Sequence, residues 1–157
     1  MTREEFIMLA AAHQKALRRF LTGACCGDIA LADDIAQEAL LKAYISIDTL
    51  ADYNKFKPWL YRIAVNIFIN QYRKRLYTVD YSEATTTFST DTPDKSFRYE
   101  ALYRALDAIS EKERSTILLY YMEGYATKEI AEITGASEAA VKQQLSRGRK
   151  HLRELLD

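Results

Sequence analysis

Residues 127–153 constrain this chain most. Thr127-Lys-Glu-Ile-Ala-Glu-Ile-Thr has the apolar spacing of a short helix, Gly135-Ala136 supplies a tight turn, and Ser137 is placed to cap a second helix. That second helix is predicted over residues 138–152 and turns basic, with Lys142, Arg147, Arg149, Lys150 and Arg153 and no acid among residues 142–153. Ile130, Ala131, Ile133, Val141 and Leu145 are the expected core of the pair. A helix, a glycine turn and a basic helix form the arrangement that lays a recognition helix in the major groove of duplex DNA. At its start, Ser137, Glu138, Ala139, Ala140, Lys142 and Gln143 can approach base edges, since glutamine pairs bidentately with adenine and an alanine methyl can meet a thymine methyl. Ser146, Arg147, Arg149 and Lys150 complete the candidate set, the three bases being suited to phosphates. Gly148 costs about 1 kcal/mol relative to alanine in mid-helix, which suggests close approach to another backbone.

A formal net charge of zero, from 22 bases and 22 acids, seems to argue against a nucleic-acid partner. The distribution reverses that reading. Residues 55–77 hold Lys55, Lys57, Arg62, Arg73, Lys74 and Arg75 with no acid, while residues 1–54 hold five bases against eight acids and residues 78–100 two against five. Two basic surfaces with an acidic segment between them fit a chain that touches a polyanion at two places.

Nearly everything outside one segment carries helical periodicity. Helices are predicted over residues 3–22, 29–47 and 58–76, with Pro58 in a first turn, and these three would pack as one small bundle. His13 falls on the mostly apolar stripe of the first and is expected to be buried and hydrogen-bonded. Residues 78–96 break the pattern with nine Ser or Thr, four acids and Pro93. A long structureless stretch inside a compact unit is uncommon, so it reads as a flexible acidic linker. Periodicity returns at Tyr99, Leu102, Leu106 and Ile109. Ser110 is then an N-cap with Glu113 at the capping-box position. The chain is therefore expected to be all-α, with two small helical domains over residues 1–77 and 97–157.

The third helix gathers Leu60, Ile63, Ala64 and Ile67 on a core side and Trp59, Arg62, Asn66, Asn70 and Arg73 on another. Aromatics replace base stacking, amides read base edges and arginines neutralise phosphate, so this stripe suits a single or opening strand. Trp59 alone could equally be a partly buried anchor. The second helix has Ile35, Ala36, Ala39, Leu40 and Ala43 inward and Asp34, Gln37, Glu38, Leu41 and Ile45 on the opposite stripe. Exposed Leu and Ile framed by acids suggest a protein-binding face, unless they pack under the first helix.

No catalytic set, phosphate-cradling glycine loop or metal-ligand cluster is expected, and no cofactor. Cys25 and Cys26 are adjacent and lack further ligands, so a reducing cytoplasm is the default. No stretch is long and apolar enough to span a bilayer, and the charged N-terminus is unlike a signal peptide, so no membrane insertion is expected.

These segments resemble the sigma factors of bacterial RNA polymerase, in particular the small extracytoplasmic-function group. Asp34-Ile-Ala-Gln-Glu-Ala-Leu-Leu-Lys-Ala-Tyr is similar to the region-two helix that binds the clamp helices of the polymerase's largest subunit. Phe56-Lys-Pro-Trp-Leu-Tyr-Arg-Ile-Ala-Val-Asn resembles the segment that melts and reads the minus-ten element, and residues 109–125 the start of region four. Residues 127–149 resemble the helix-turn-helix that reads the minus-thirty-five element. The resemblance implies a non-enzymatic initiation factor whose partners are core polymerase and promoter DNA. It also implies that Tyr53, Asn54 and Lys55 lie in the loop that captures a flipped minus-ten base, and that the acidic linker threads polymerase channels. Many members are held by an anti-sigma factor, which is thereby a candidate partner. Ile109-Ser110, Asn70 and Ala139-Ala140 depart from the family's common residues, the last at the DNA-reading end. A stand-alone helix-turn-helix regulator and an enzyme acting on nucleic acid are the competing readings.

Overall fold

The computed structural model describes residues 1–78 and 93–156, the side chains of 75–78 and 93–98 excepted. All regular structure among these residues is helical. The order is α1 (Arg3–Ala24), α2 (Ile29–Ile45), two short 3-10 turns (Ile47–Thr49 and Tyr53–Lys55), α3 (Phe56–Thr78), α4 (Pro93–Ala108), α5 (Glu111–Tyr121), α6 (Thr127–Thr134) and α7 (Glu138–Leu156). The expected first three helices are present, each shifted by about two residues at one or both ends, as fraying ends allow. Most of the expected linker, residues 79–92, lies outside the described residues. Its last part, from Pro93, is already α4.

Local chemistry sets the ends. Thr2 and Glu5 form a reciprocal capping box at the start of α1, and the Asp28 carboxylate accepts from the Leu31 N–H at the start of α2. Ser110 accepts from the Glu113 N–H, as expected for a cap. The Glu113 carboxylate does not complete a capping box. It lies 3.2 Å from Nδ1 of His151 on α7 instead. Gly135 takes φ of +76°, the left-handed conformation that closes α6 and that glycine adopts without a Cβ penalty.

In the N-terminal bundle, Leu17, Phe20 and Leu21 of α1 meet Ile35, Ala36 and Ala39 of α2 and Leu60, Ala64 and Phe68 of α3, all fully buried. The alanines let α2 approach its neighbours closely. The C-terminal unit is built on Leu119, Ile130, Ile133, Val141 and Leu145, likewise buried. The two cores are continuous, because α5 and α6 pack on α1 and α3. Helical periodicity contains no sign of this seam. Ala-rich α2 also leaves Leu41 and Ile45 at 59% and 72% exposure, so they do not pack under α1.

Candidate nucleic-acid interface

The turn between α6 and α7 presents the basic helix outward. The Ser137 hydroxyl accepts from the Ala140 N–H at 3.1 Å, satisfying one orphan donor of the α7 N-terminus. Glu138, Ala139, Lys142, Gln143, Ser146, Arg147 and Lys150 are exposed and Ala140 is half-buried. On the inner side Val141, Leu145 and Gly148 are buried. Thr127 of α6 donates its hydroxyl to Glu138 Oε1 at 3.0 Å, and Lys142 lies 3.7 Å from the same oxygen, so the first carboxylate of the helix is held from two sides.

Arg149 departs from its companions. Its Nε donates to the Tyr121 hydroxyl at 2.5 Å and its guanidinium lies 5.5 and 5.4 Å from the Tyr120 and Tyr121 rings. Spacing alone groups Arg149 with Arg147, but two residues along a helix turn a side chain through about 200°, here toward α5. Gly148 meets a side chain rather than the expected backbone: a Cβ there would lie 2.3 Å from Ile117 Cδ1.

On α3, Arg62, Asn66, Asn70 and Arg73 are exposed, while Leu60, Ala64 and Ile67 are buried and Ile63 partly so. Trp59 is half-buried, its ring 6.0 Å from that of Phe56. It is thus both an anchor and an open edge of the stripe. Tyr53, Asn54 and Lys55 are exposed on the 3-10 turn before α3, where Asp52 accepts from the Asn54 N–H at 3.0 Å. They line a cavity of about 710 Å³ whose far wall is Tyr125, Glu129 and Glu132. His13 lines it too and is half-buried. Burial, and then the Lys57 ammonium, hold its pKa below the ordinary imidazole value.

On α2, Asp34 and Gln37 are exposed beside Leu41 and Ile45, and Glu38 is half-buried. Glu38 is already engaged, accepting from Gln71 Nε2 and pairing with Lys42 at 3.4 Å.

Sequence reasoning missed the polar groups in the seam. Arg114 is 1% exposed and donates from Nε to the Leu106 carbonyl at 2.7 Å and from Nη1 to the Ala24 carbonyl at 2.8 Å. Its guanidinium stacks 4.6 Å from the Tyr72 ring. Lys57 pairs with Glu123 at 3.4 Å and lies over the Tyr61 and Tyr125 rings. The Tyr61 hydroxyl sits beside the Glu123 carboxylate without a hydrogen bond of ordinary geometry. Burial first, and then that carboxylate, push the Tyr61 phenol far above its usual pKa and the Tyr125 phenol to about 12. An arginine at the entry to an apolar run was the one available signal.

Comparison with known proteins assigns both halves. Residues 9–76 match the family model for Sigma-70 region 2, and residues 99–152 that for Sigma-70, region 4. The chain is 33% identical over 145 residues to the ECF RNA polymerase sigma factor SigW of Bacillus subtilis, covering 83% of this chain and 78% of that one. It is 32% identical over 133 residues to EcfG of Rhodopseudomonas palustris, covering 83% and 74%. The fold is similar to that of the sigma factor RpoE from Bartonella quintana, solved in complex with the anti-sigma factor NepR, with a TM-score of 0.78, 28% identity and coverage of 98% and 97%. It is also similar in fold to CnrH, solved with the cytosolic domain of CnrY, with a TM-score of 0.75 at 24% identity, covering 99% of this chain and 90% of that one.

Proposed function

Because the chain belongs to the extracytoplasmic-function group of the sigma-70 family, we propose that its three exposed faces divide the work of promoter-specific transcription initiation among them. The protein is a sigma factor: it binds core RNA polymerase, engages promoter DNA and directs initiation. Anti-sigma factors are a further partner class, as for the RpoE relative solved with one. The factor carries out no bond chemistry of its own and works in the cytoplasm beside the polymerase. Among the described residues no helix is long and apolar enough to cross a membrane.

In this division, residues 1–77 dock on the polymerase and take the minus-ten strand. Leu41 and Ile45, flanked by Asp34, Gln37 and Glu38, form the clamp-helix contact, where a central apolar pair within a polar rim is the usual anatomy of an interface. Trp59, Arg62, Asn66, Asn70 and Arg73, with Tyr53, Asn54 and Lys55, hold the opened strand by stacking, amide contacts and phosphate neutralisation. Residues 97–157 read the minus-thirty-five duplex through α7. Glu138, Ala139, Ala140, Lys142 and Gln143 face bases, and Arg147 and Lys150 face phosphates. Arg149 belongs to the packing of α7 on α5.

The observation that carries this reading is the simultaneous exposure of Leu41 and Ile45 on α2 and of the capped basic face of α7, which holds no acid over residues 142–153. A helix-turn-helix regulator acting alone would instead bind duplex tightly without polymerase, usually as a dimer on palindromic sites. Purified protein added to sigma-free core polymerase over a genomic template pool should yield transcripts from a restricted set of start sites. Transcripts no different from those of core polymerase alone would refute the reading.

A further inference from the structure

The side chains at the start of α7 differ in what they offer a base edge. Ser137, Lys142 and Gln143 can each donate a hydrogen bond, while Ala139 and Ala140 present methyl groups. Glu138, as a carboxylate, only accepts. Phosphates repel an acid on a DNA-facing surface, so its place at the reading end of a basic helix opposes binding unless a specific contact offsets it.

This carboxylate is held in position. Thr127 of α6 donates its hydroxyl across the turn to Glu138 Oε1 at 3.0 Å. The Lys142 ammonium, one helical turn further along α7, lies 3.7 Å from the same oxygen. Both contacts fall on Oε1, and among the described residues Oε2 receives no bond. The side chain is still 47% exposed. The first turn of α7 favours a negative charge as well, because it is the positive end of the helix dipole. One oxygen is thus fixed from two helices and the other is left free to accept.

The major groove limits what such an acceptor can meet. Guanine shows N7 and O6 and thymine shows O4, all of which repel a carboxylate. Adenine shows N6–H2, but with an acceptor on each side, its own N7 and the O4 of the paired thymine. Cytosine shows N4–H2 with an acceptor on one side only, the O6 of the paired guanine. We propose that Glu138 selects a cytosine in the minus-thirty-five element by accepting from its N4–H2, and that Thr127 is the positioning residue that aims the carboxylate. The inference rests on assigning α7 to that duplex.

The test uses holoenzyme assembled from core polymerase and the full chain, on a promoter recovered from the genomic template pool. Each base pair of the upstream duplex element is replaced in turn by its transition partner, and transcript yield at limiting holoenzyme reads the cost. For the wild type, one C·G pair changed to T·A should lower initiation about tenfold, the scale of one mismatched base pair. Glu138→Gln keeps an acceptor for the Thr127 hydroxyl and adds a donor that can meet thymine O4, so the penalty at that pair should shrink below about threefold. Thr127→Val should shrink the same penalty and leave those at the other pairs unchanged. Circular dichroism and thermal melting establish that both variants are folded. The absence of any required cytosine, a required cytosine whose penalty Glu138→Gln leaves unchanged, or a Glu138→Gln loss that is equal on all templates overturns the proposal. If no upstream substitution matters in any form, the assignment of α7 falls and this inference falls with it; required bases that are all insensitive to Glu138 remove the inference alone.

Discussion

Ile117 on α5 occupies the space a side chain at Gly148 on α7 would need, its Cδ1 2.3 Å and its Cγ1 3.2 Å from the position of that Cβ. The glycine therefore sets the spacing between α5 and α7. Gly148→Ala gains about 1 kcal/mol of helix propensity. Overpacking a buried contact costs about 1–3 kcal/mol, so the net change is a loss of about 1 kcal/mol. Urea unfolding should show it, and adding Ile117→Val, which removes Cδ1, should return most of the loss. A stabilised Gly148→Ala would show that Ile117 swings aside freely.

Leu41→Ala should separate binding from folding. The side chain is 59% exposed, so stability should stay within about 0.5 kcal/mol. Affinity for core polymerase should fall about tenfold, equivalent to about 1.4 kcal/mol, if Leu41 lies in the desolvated centre of the contact. Unchanged affinity in a direct titration would remove α2 from the polymerase interface.

Arg147→Ala should weaken duplex binding alike on all sequences and lower the salt slope by about 0.9, the signature of one lost phosphate contact. Titrations at several salt concentrations read both quantities. A loss confined to one base position would make Arg147 a base reader. Arg149→Ala, by contrast, should chiefly lower stability, since its guanidinium is held by Tyr120 and Tyr121.

How far periodicity reaches is visible in α2 and α5. In α2, a 3.6-residue repeat separates buried Ala39 and Ala43 from exposed Leu41 and Ile45, so both the fold class and the exposed apolar pair were readable. In α5 the same repeat says nothing of Arg114, because its burial depends on the Ala24 carbonyl, distant in sequence and belonging to another helix. Periodicity reports that a face is apolar or polar, not what will meet it. Arg149 fails for a related reason: its aromatic partners are contributed by α5, not by its own helix.

His13 should give the fold a shallow pH dependence. Its pKa is lowered in the folded protein, so the unfolded chain binds the proton more readily, and stability falls as pH drops through the ordinary imidazole value near 6.5. Lys55, Lys57, Glu129, Glu132 and Tyr53 line the same cavity and set the local field. Thermal midpoints between pH 5 and 7.5 should fall less steeply in His13→Gln. Identical slopes would show that His13 does not contribute.

Cys26 should resist thiol reagents in the native state. It is buried, and burial raises its pKa to about 11, leaving a thiolate fraction on the order of one in a thousand at pH 8. Labelling should be slow in the folded protein and complete in denaturant. Asp107, Arg114 and Tyr72 all bear on this thiol. Rapid labelling of the wild type would contradict the packing around α1.

Arg114 crosses the seam to the Ala24 carbonyl and Arg62 crosses it to the Glu132 carbonyl, so both end on main-chain oxygens, and every amino acid brings one. Ala24 and Glu132 can therefore be exchanged for other residues without removing either acceptor. Only the donors can be lost by substitution. Among descendants of this chain, drift at position 132 would leave its acceptor in place, and heritable loss of these two bonds would be concentrated at codons 62 and 114.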